Sequence, residues 1–132
     1  MTRFLLLVNY DGGVVDTPML EWDPGDVKAH LQYYQDLNKD LEERGELVDA
    51  LALAWPESAR IVRADGVSAP VLTDGPFPES KELLAGFQMV DVETEARAIE
   101  IAALVSAAPG PDGVPLQQPI EVRQVMSAAD EL

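Results

Sequence analysis

Residues 26–54 read DVKAHLQYYQDLNKDLEERGELVDALALA, and this stretch predicts a helix followed by a strand. At 100° per residue, the apolar side chains fall within one arc of about 120°. They are Val27, Leu31, Tyr34, Leu37 and Leu41. Gly45 suits a left-handed stop after the helix. We therefore predict a helix over Asp26–Arg44 and a strand over Glu46–Ala54.

Further elements lie on both sides of this stretch. Arg3–Asn9 is a continuous apolar run and predicts a strand that is covered on both faces. Leu83–Val92 predicts another strand, whose internal Gly86 indicates a bulge or a close backbone approach. A last strand is predicted at Ile120–Met126.

Two more features complete the pattern. Thr94 is a predicted N-cap for a second helix that runs to about Ala107. Ala59–Arg63 and Val67–Leu72 predict a hairpin, with Asp65-Gly66 supplying a tight turn. The resulting order is β-α-β, hairpin, β-α-β, which favours one α+β domain over residues 1–132 with the ferredoxin-like plan.

The bare face of such a sheet predicts a homodimer. In the ferredoxin-like plan both helices cover the same side of the sheet, yet Arg3–Asn9 has the composition of a strand covered on both sides. A chain of 132 residues has no third layer to offer. We therefore expect a second copy to cover the open face, sheet to sheet.

The charge and composition exclude several classes of function. Nine basic and 24 acidic residues give a net charge of −15, which opposes binding to nucleic acid or to an anionic membrane. The chain has no cysteine and one histidine, so a soft-metal cluster is excluded, although a carboxylate site for a hard cation stays open. No phosphate loop, dinucleotide fingerprint or membrane-length apolar run is present, and we expect the first apolar run to be a strand and not a signal peptide. We expect a cytoplasmic protein without a cofactor.

Two residues are candidates for acid–base catalysis. His30 falls inside the apolar arc of the first helix, so it is either a satisfied core residue or a general acid or base. Asp74 precedes Gly75-Pro76, so it is either a turn residue or a partner that orients His30 across a cleft.

Four more residues are candidates for binding a substrate. Phe77 would pack into the core or line a pocket, while Lys81 and Glu82 belong to a charged loop that would serve a site if it folded over a cleft. Arg123 lies two residues after Glu121 and shares its sheet face, as either a fixed cation in a dimer cleft or half of an ion pair across the dimer interface.

Residues 73–82, TDGPFPESKE, resemble the hallmark of the DGPF branch of the YCII-related family. Gly86-Phe87 and the segment PIEVR at 119–123 resemble the family as well. The resemblance implies a dimeric α+β barrel, and it likens His30 to a histidine on the first helix of YciI-like proteins, which is proposed to act with an aspartate. Some proteins of the DGPF branch occur with sigma factors.

Two functions stay open from the sequence. The first is an enzyme-like dimer that uses acid–base chemistry on a small organic substrate, which would be anionic if Arg123 or Lys81 anchors it. The second is a non-catalytic ligand-binding or regulatory module associated with transcription.

Overall fold

A four-stranded antiparallel sheet forms the centre of the fold in a computed structural model, which describes residues 1–10, 13–75 and 83–126. Its strands are β1 (Thr2–Asn9), β2 (Leu47–Ala52), β5 (Leu84–Val92) and β6 (Ile120–Gln124), in the order β2-β5-β1-β6. With two helices, this order is that of a ferredoxin-like α+β fold. The predicted fold class is confirmed.

Helix α1 (Pro24–Glu43) and helix α2 (Glu95–Ser106) cover one face of this sheet. The core residues alternate along β1 and β5, as expected for strands that bury one face against helices. The buried apolar cluster contains Phe4, Leu6, Leu41, Val90, Val92, Ala98, Ile101, Ala102 and Val105. Short 3-10 helices occur at Met19–Glu21, Pro56–Ser58 and Pro111–Gly113.

The start of α2 is fixed by a cap and an ion pair. Thr94 Oγ1 accepts a hydrogen bond from the Arg97 amide at 3.2 Å, which confirms the predicted N-cap. The Arg97 guanidinium donates to both carboxylate oxygens of Glu46, each at 2.9 Å, and also to Glu100 at 3.1 Å. This bidentate pair joins α2 to the turn between α1 and β2.

The hairpin forms a separate two-stranded sheet of β3 (Arg60–Arg63) and β4 (Val71–Asp74). The predicted tight turn and the strand Val67–Leu72 were wrong. Asp65 Oδ1 accepts the amides of Val67 and Ser68 at 2.9 and 2.7 Å, and this bonding holds residues 64–70 in a wider loop. The second strand therefore begins later and ends at Asp74.

No helix of the described residues covers the other face of the four-stranded sheet. Its central strands present Leu5, Leu7, Phe87 and Met89, all half-buried in the single chain. Arg123 lies beside Leu5 on this face, with its Nε atom 3.8 Å from Glu121 Oε2. The shared sheet face is as predicted, and this ion pair joins two residues of one chain on an edge strand of the sheet. Among the described helices, none is long and apolar enough to cross a membrane.

Candidate functional site

A cavity of about 910 Å³ lies between α1 and the helix-covered face of the sheet. It occupies the end of the domain where β1 and β2 finish and β5 begins. Its wall also includes part of the loop that precedes α1 and the segment that follows β2. The volume is in the range of small-molecule binding sites.

Small residues in the sheet create this space. Ala50 pairs with Gln88 and Ala52 pairs with Gly86, and all four positions face the helices. A Cβ atom at Gly86 would lie 2.6 Å from the carbonyl oxygen of Leu51, so only glycine fits this close strand approach. This confirms the predicted close approach. The sheet therefore leaves a gap opposite the part of α1 that lines the cavity, whereas larger side chains fill the neighbouring core.

His30 lies in the cavity wall and is only 5% exposed. Its Nδ1 atom lies 2.9 Å from the carbonyl oxygen of Pro109. A carbonyl only accepts hydrogen bonds, so Nδ1 carries the proton of the neutral ring and Nε2 is an acceptor. Trp22 and Tyr34 meet the ring edge to face, at centroid distances of 5.5 and 5.0 Å. The ring is therefore held in one orientation and one tautomer.

Burial sets the charge state of the two titratable groups on this part of α1. It lowers the pKa of His30 below its ordinary value of 6.5, and the bond to Pro109 opposes this effect only in part. Burial, with a smaller effect of Tyr33, raises the pKa of Tyr34 to about 12. Both groups are neutral at pH 7.

The amides of Asn38 and Gln88 form a second polar part of the wall. Gln88 Nε2 donates to Asn38 Oδ1, which links α1 to β5. Gln88 Oε1 is buried and has no hydrogen-bond partner among the described residues. The inward direction of Asn38 agrees with its place in the apolar arc of the predicted helix.

Backbone carbonyls accept hydrogen bonds from three aromatic side chains of the wall, Tyr10, Trp22 and Tyr34. Tyr10 donates its hydroxyl to Leu53 O at 2.8 Å, and its ring lies 5.6 Å from that of Trp55. Trp22 Nε1 donates to Thr17 O at 2.8 Å. These bonds fix the loop side chains at the entrance.

The family model of the YCII-related domain matches residues 2–110. The chain belongs to the YCII-related domain family. The match spans β1 to β5 and both helices, including His30 and Pro109. A comparison of the sequence with curated proteins found no match.

The predicted site residues of this YCII-related domain lie in different places. His30 lines the cavity, whereas Asp74 ends β4 with its side chain 88% exposed and its Oδ1 atom 3.4 Å from Arg60 Nη1. No hydrogen bond or ion pair joins His30 to Asp74, both of which are described. Arg123 lies on the opposite face of the sheet from the cavity. Phe77, Lys81 and Glu82 fall outside the described residues.

Sequence reasoning missed two contacts of His30. Trp22 was predicted only to pack on something, and Pro109 was placed in a loop without a role. No periodic signal connects these positions to His30, because each lies in an irregular segment. In the part of the chain that the structure describes, no cluster of three or more histidine or acidic residues is placed to hold a metal ion.

Proposed function

We propose that this YCII-related domain binds a small organic molecule in the cavity and that His30 acts on the molecule as a base. The supporting observation is that a buried histidine of fixed orientation has one ring nitrogen without a hydrogen-bond partner among the described residues. Nδ1 is committed to Pro109, while Nε2 has no hydrogen-bond partner among the described residues. A neutral imidazole held in one tautomer is suited to accept a proton.

The aromatic contacts of His30 support the same role. Trp22 and Tyr34 contact the imidazole ring edge to face and restrict its orientation. The ring would therefore need little reorientation to act on a bound molecule. The pairing of His30 with Asp74 remains a prediction. In one chain Asp74 meets Arg60 instead, so the proposed site relies on Pro109 to orient the ring.

A ligand screen on three proteins tests this proposal. Thermal unfolding is measured with a library of small metabolites for wild type, His30→Gln and Gln35→Ala. Gln35 is exposed on the same helix and is absent from the cavity wall, so its variant is the matched control. We expect compounds that stabilise wild type and Gln35→Ala but not His30→Gln. If every hit stabilises all three proteins equally, the proposal fails.

Binding without chemistry is a second candidate function. Among the described residues, no other titratable side chain is hydrogen-bonded to His30, so a proton taken from the ligand has no evident relay. This favours a non-catalytic ligand-binding module, for which a regulatory role associated with transcription is one use. Mass spectrometry of each hit after incubation separates the two functions. A product formed by wild type but not by His30→Gln supports the enzyme, and an unchanged ligand supports the module.

We also propose that the protein acts as a homodimer through the open face of the sheet. Asp49, Met89, Leu5 and Arg123 form one row across the four strands. A twofold axis parallel to the strands would place the β2 edge of one copy over the β6 edge of the other. Asp49 would then face Arg123 of the second copy, with the apolar residues between them.

Sedimentation of two glutamate variants tests the dimer. Met89→Glu places a charge in the middle of the open face, whereas Val62→Glu places the same charge on the exposed surface of the hairpin. We expect wild type and Val62→Glu to sediment as dimers and Met89→Glu to sediment as a folded monomer. A dimer that tolerates Met89→Glu would show that the interface lies elsewhere.

A further inference from the structure

We propose that the cavity selects an uncharged aromatic molecule that carries a hydroxyl or N–H group and donates it to His30 Nε2. The inference rests on the proposed function of the cavity and names its ligand class. It differs from the sequence-based expectation of an anionic substrate. Three properties of the wall carry it: its charge, its rings and the unpaired acceptor atom of the buried His30.

The charge of the wall disfavours an anion. Among the described residues that line the cavity there is no lysine or arginine, and Asp16 carries the only formal charge. His30 is neutral because burial lowers its pKa. Arg123, the predicted anchor for an anion, lies on the far side of the sheet. A carboxylate or phosphate would therefore lose its hydration without gaining a cation.

The aromatic rings of the cavity wall form two groups. Trp22, His30 and Tyr34 form one group in successive edge-to-face contacts, with interplanar angles of 83° and 81°. Tyr10 and Trp55 form the other group, tilted by 32°. Rings in such arrangements prefer a further aromatic partner in an edge or offset contact.

The floor of the cavity fits a planar molecule. Ala50, Ala52 and Gly86 carry no side-chain atom beyond Cβ on the helix-covered face of the sheet. A flat ring can therefore lie against the strands.

The hydrogen-bonding pattern of the buried rings favours a donor on the ligand. The hydroxyls of Tyr10 and Tyr34 donate to the carbonyls of Leu53 and Val105, and Trp22 Nε1 donates to a carbonyl as well. Trp55 Nε1 is a donor on an exposed side chain of the wall, and it makes no hydrogen bond to the described residues. Among the buried ring atoms of the wall this leaves His30 Nε2, which is an acceptor. A donor on the ligand would form a hydrogen bond with Nε2, whereas an ether oxygen there would place its lone pair opposite that of Nε2.

Three bicyclic probes test the ligand class by ligand-observed NMR titration at a pH above neutrality. Indole has an N–H donor, benzofuran has the same shape with an oxygen in its place, and indole carboxylate adds a negative charge. We expect indole to bind about tenfold more tightly than benzofuran, the effect of one hydrogen bond to a buried acceptor. Indole carboxylate should bind more weakly than either.

His30→Leu and Gln35→Ala complete the test. In His30→Leu, which removes the acceptor but keeps an apolar side chain, the preference for indole over benzofuran should disappear. It should persist in Gln35→Ala. Equal affinities for indole and benzofuran in wild type, or tightest binding of indole carboxylate, would overturn the ligand class. If none of the probes binds while a library compound binds through His30, the class is wrong and the proposed function stands. If no compound depends on His30, the proposed function itself fails.

Discussion

Replacing Gly86 with alanine would set a Cβ atom against the backbone of the neighbouring strand. The new atom would lie 2.6 Å from Leu51 O and 3.2 Å from Ala52 Cα, whereas ordinary contacts begin at 3.4 Å. Strands β2 and β5 would therefore have to part by about 0.8 Å at this point. Both opposing atoms belong to the backbone, so no side-chain rotation can relieve the contact.

The expected loss of stability follows from two opposing effects. Overpacking of this kind costs about 1–3 kcal/mol. Alanine also restricts the unfolded chain, which returns about 0.4–1 kcal/mol. The net expectation for Gly86→Ala is a loss of about 1–2 kcal/mol in the free energy of unfolding. For a domain of this size, that corresponds to a fall in Tm of roughly 3–8 °C.

Gly25→Ala is the matched control for this substitution. Gly25 lies in the first turn of α1, and a Cβ atom there would meet nothing within 4 Å. We expect its stability to be unchanged or slightly raised, since alanine favours helix. Urea unfolding of the three proteins gives the comparison. If Gly86→Ala is as stable as Gly25→Ala, the close approach of the two strands is not the reason for glycine at this position.

Four further predictions concern the core, the ion pairs and the site. Leu6→Ala should lose about 2–5 kcal/mol in urea unfolding, because Leu6 is fully buried at the centre of the core. Arg97→Met should lose about 1–3 kcal/mol at neutral pH, because it leaves the half-buried carboxylate of Glu46 unpaired. The hydrogen bond from Arg97 lowers the pKa of Glu46 below 4.5. The stabilisation by this pair is therefore present above the unfolded-state pKa and is lost as pH falls through the folded-state pKa. The difference in stability between wild type and Arg97→Met should accordingly shrink in acid. Asp74→Asn should leave the Tm unchanged, since its ion pair is exposed. Indole binding should weaken as pH falls through the lowered pKa of His30, because protonation turns Nε2 into a donor, while Tyr34 stays neutral throughout that range.

Features that repeat along the chain were predictable from the sequence. The apolar arc of α1 places His30 and Asn38 inward, and the structure confirms both directions. The cap at Thr94 was also predictable, because capping depends on a side chain and an amide three residues away. In each case the signal is local, and it recurs with the period of the element.

Contacts between irregular segments were not predictable in this way. The bond from His30 to Pro109 joins residues that are 79 positions apart, one of them in a loop. The hairpin shows a related difficulty within a short range. Asp65-Gly66 indicated a tight turn, but the Asp65 side chain competes with backbone pairing by holding two later amides. The sequence therefore indicates the presence of a turn better than its length.

The cavity is encoded by side chains that are missing, which explains why a sequence reading finds His30 before it finds the site. The alternation of β2 puts Ala50 and Ala52 on the helix-covered face, where large apolar residues would close the core. Across from them, Gly86 brings the strands together and adds no volume. Alternation predicts a strand whether the inward-facing residues are small or large, so it does not reveal the space that small residues leave. Only the facing helix, which presents a histidine and an amide where leucines would otherwise pack, distinguishes a binding space from a poorly filled core.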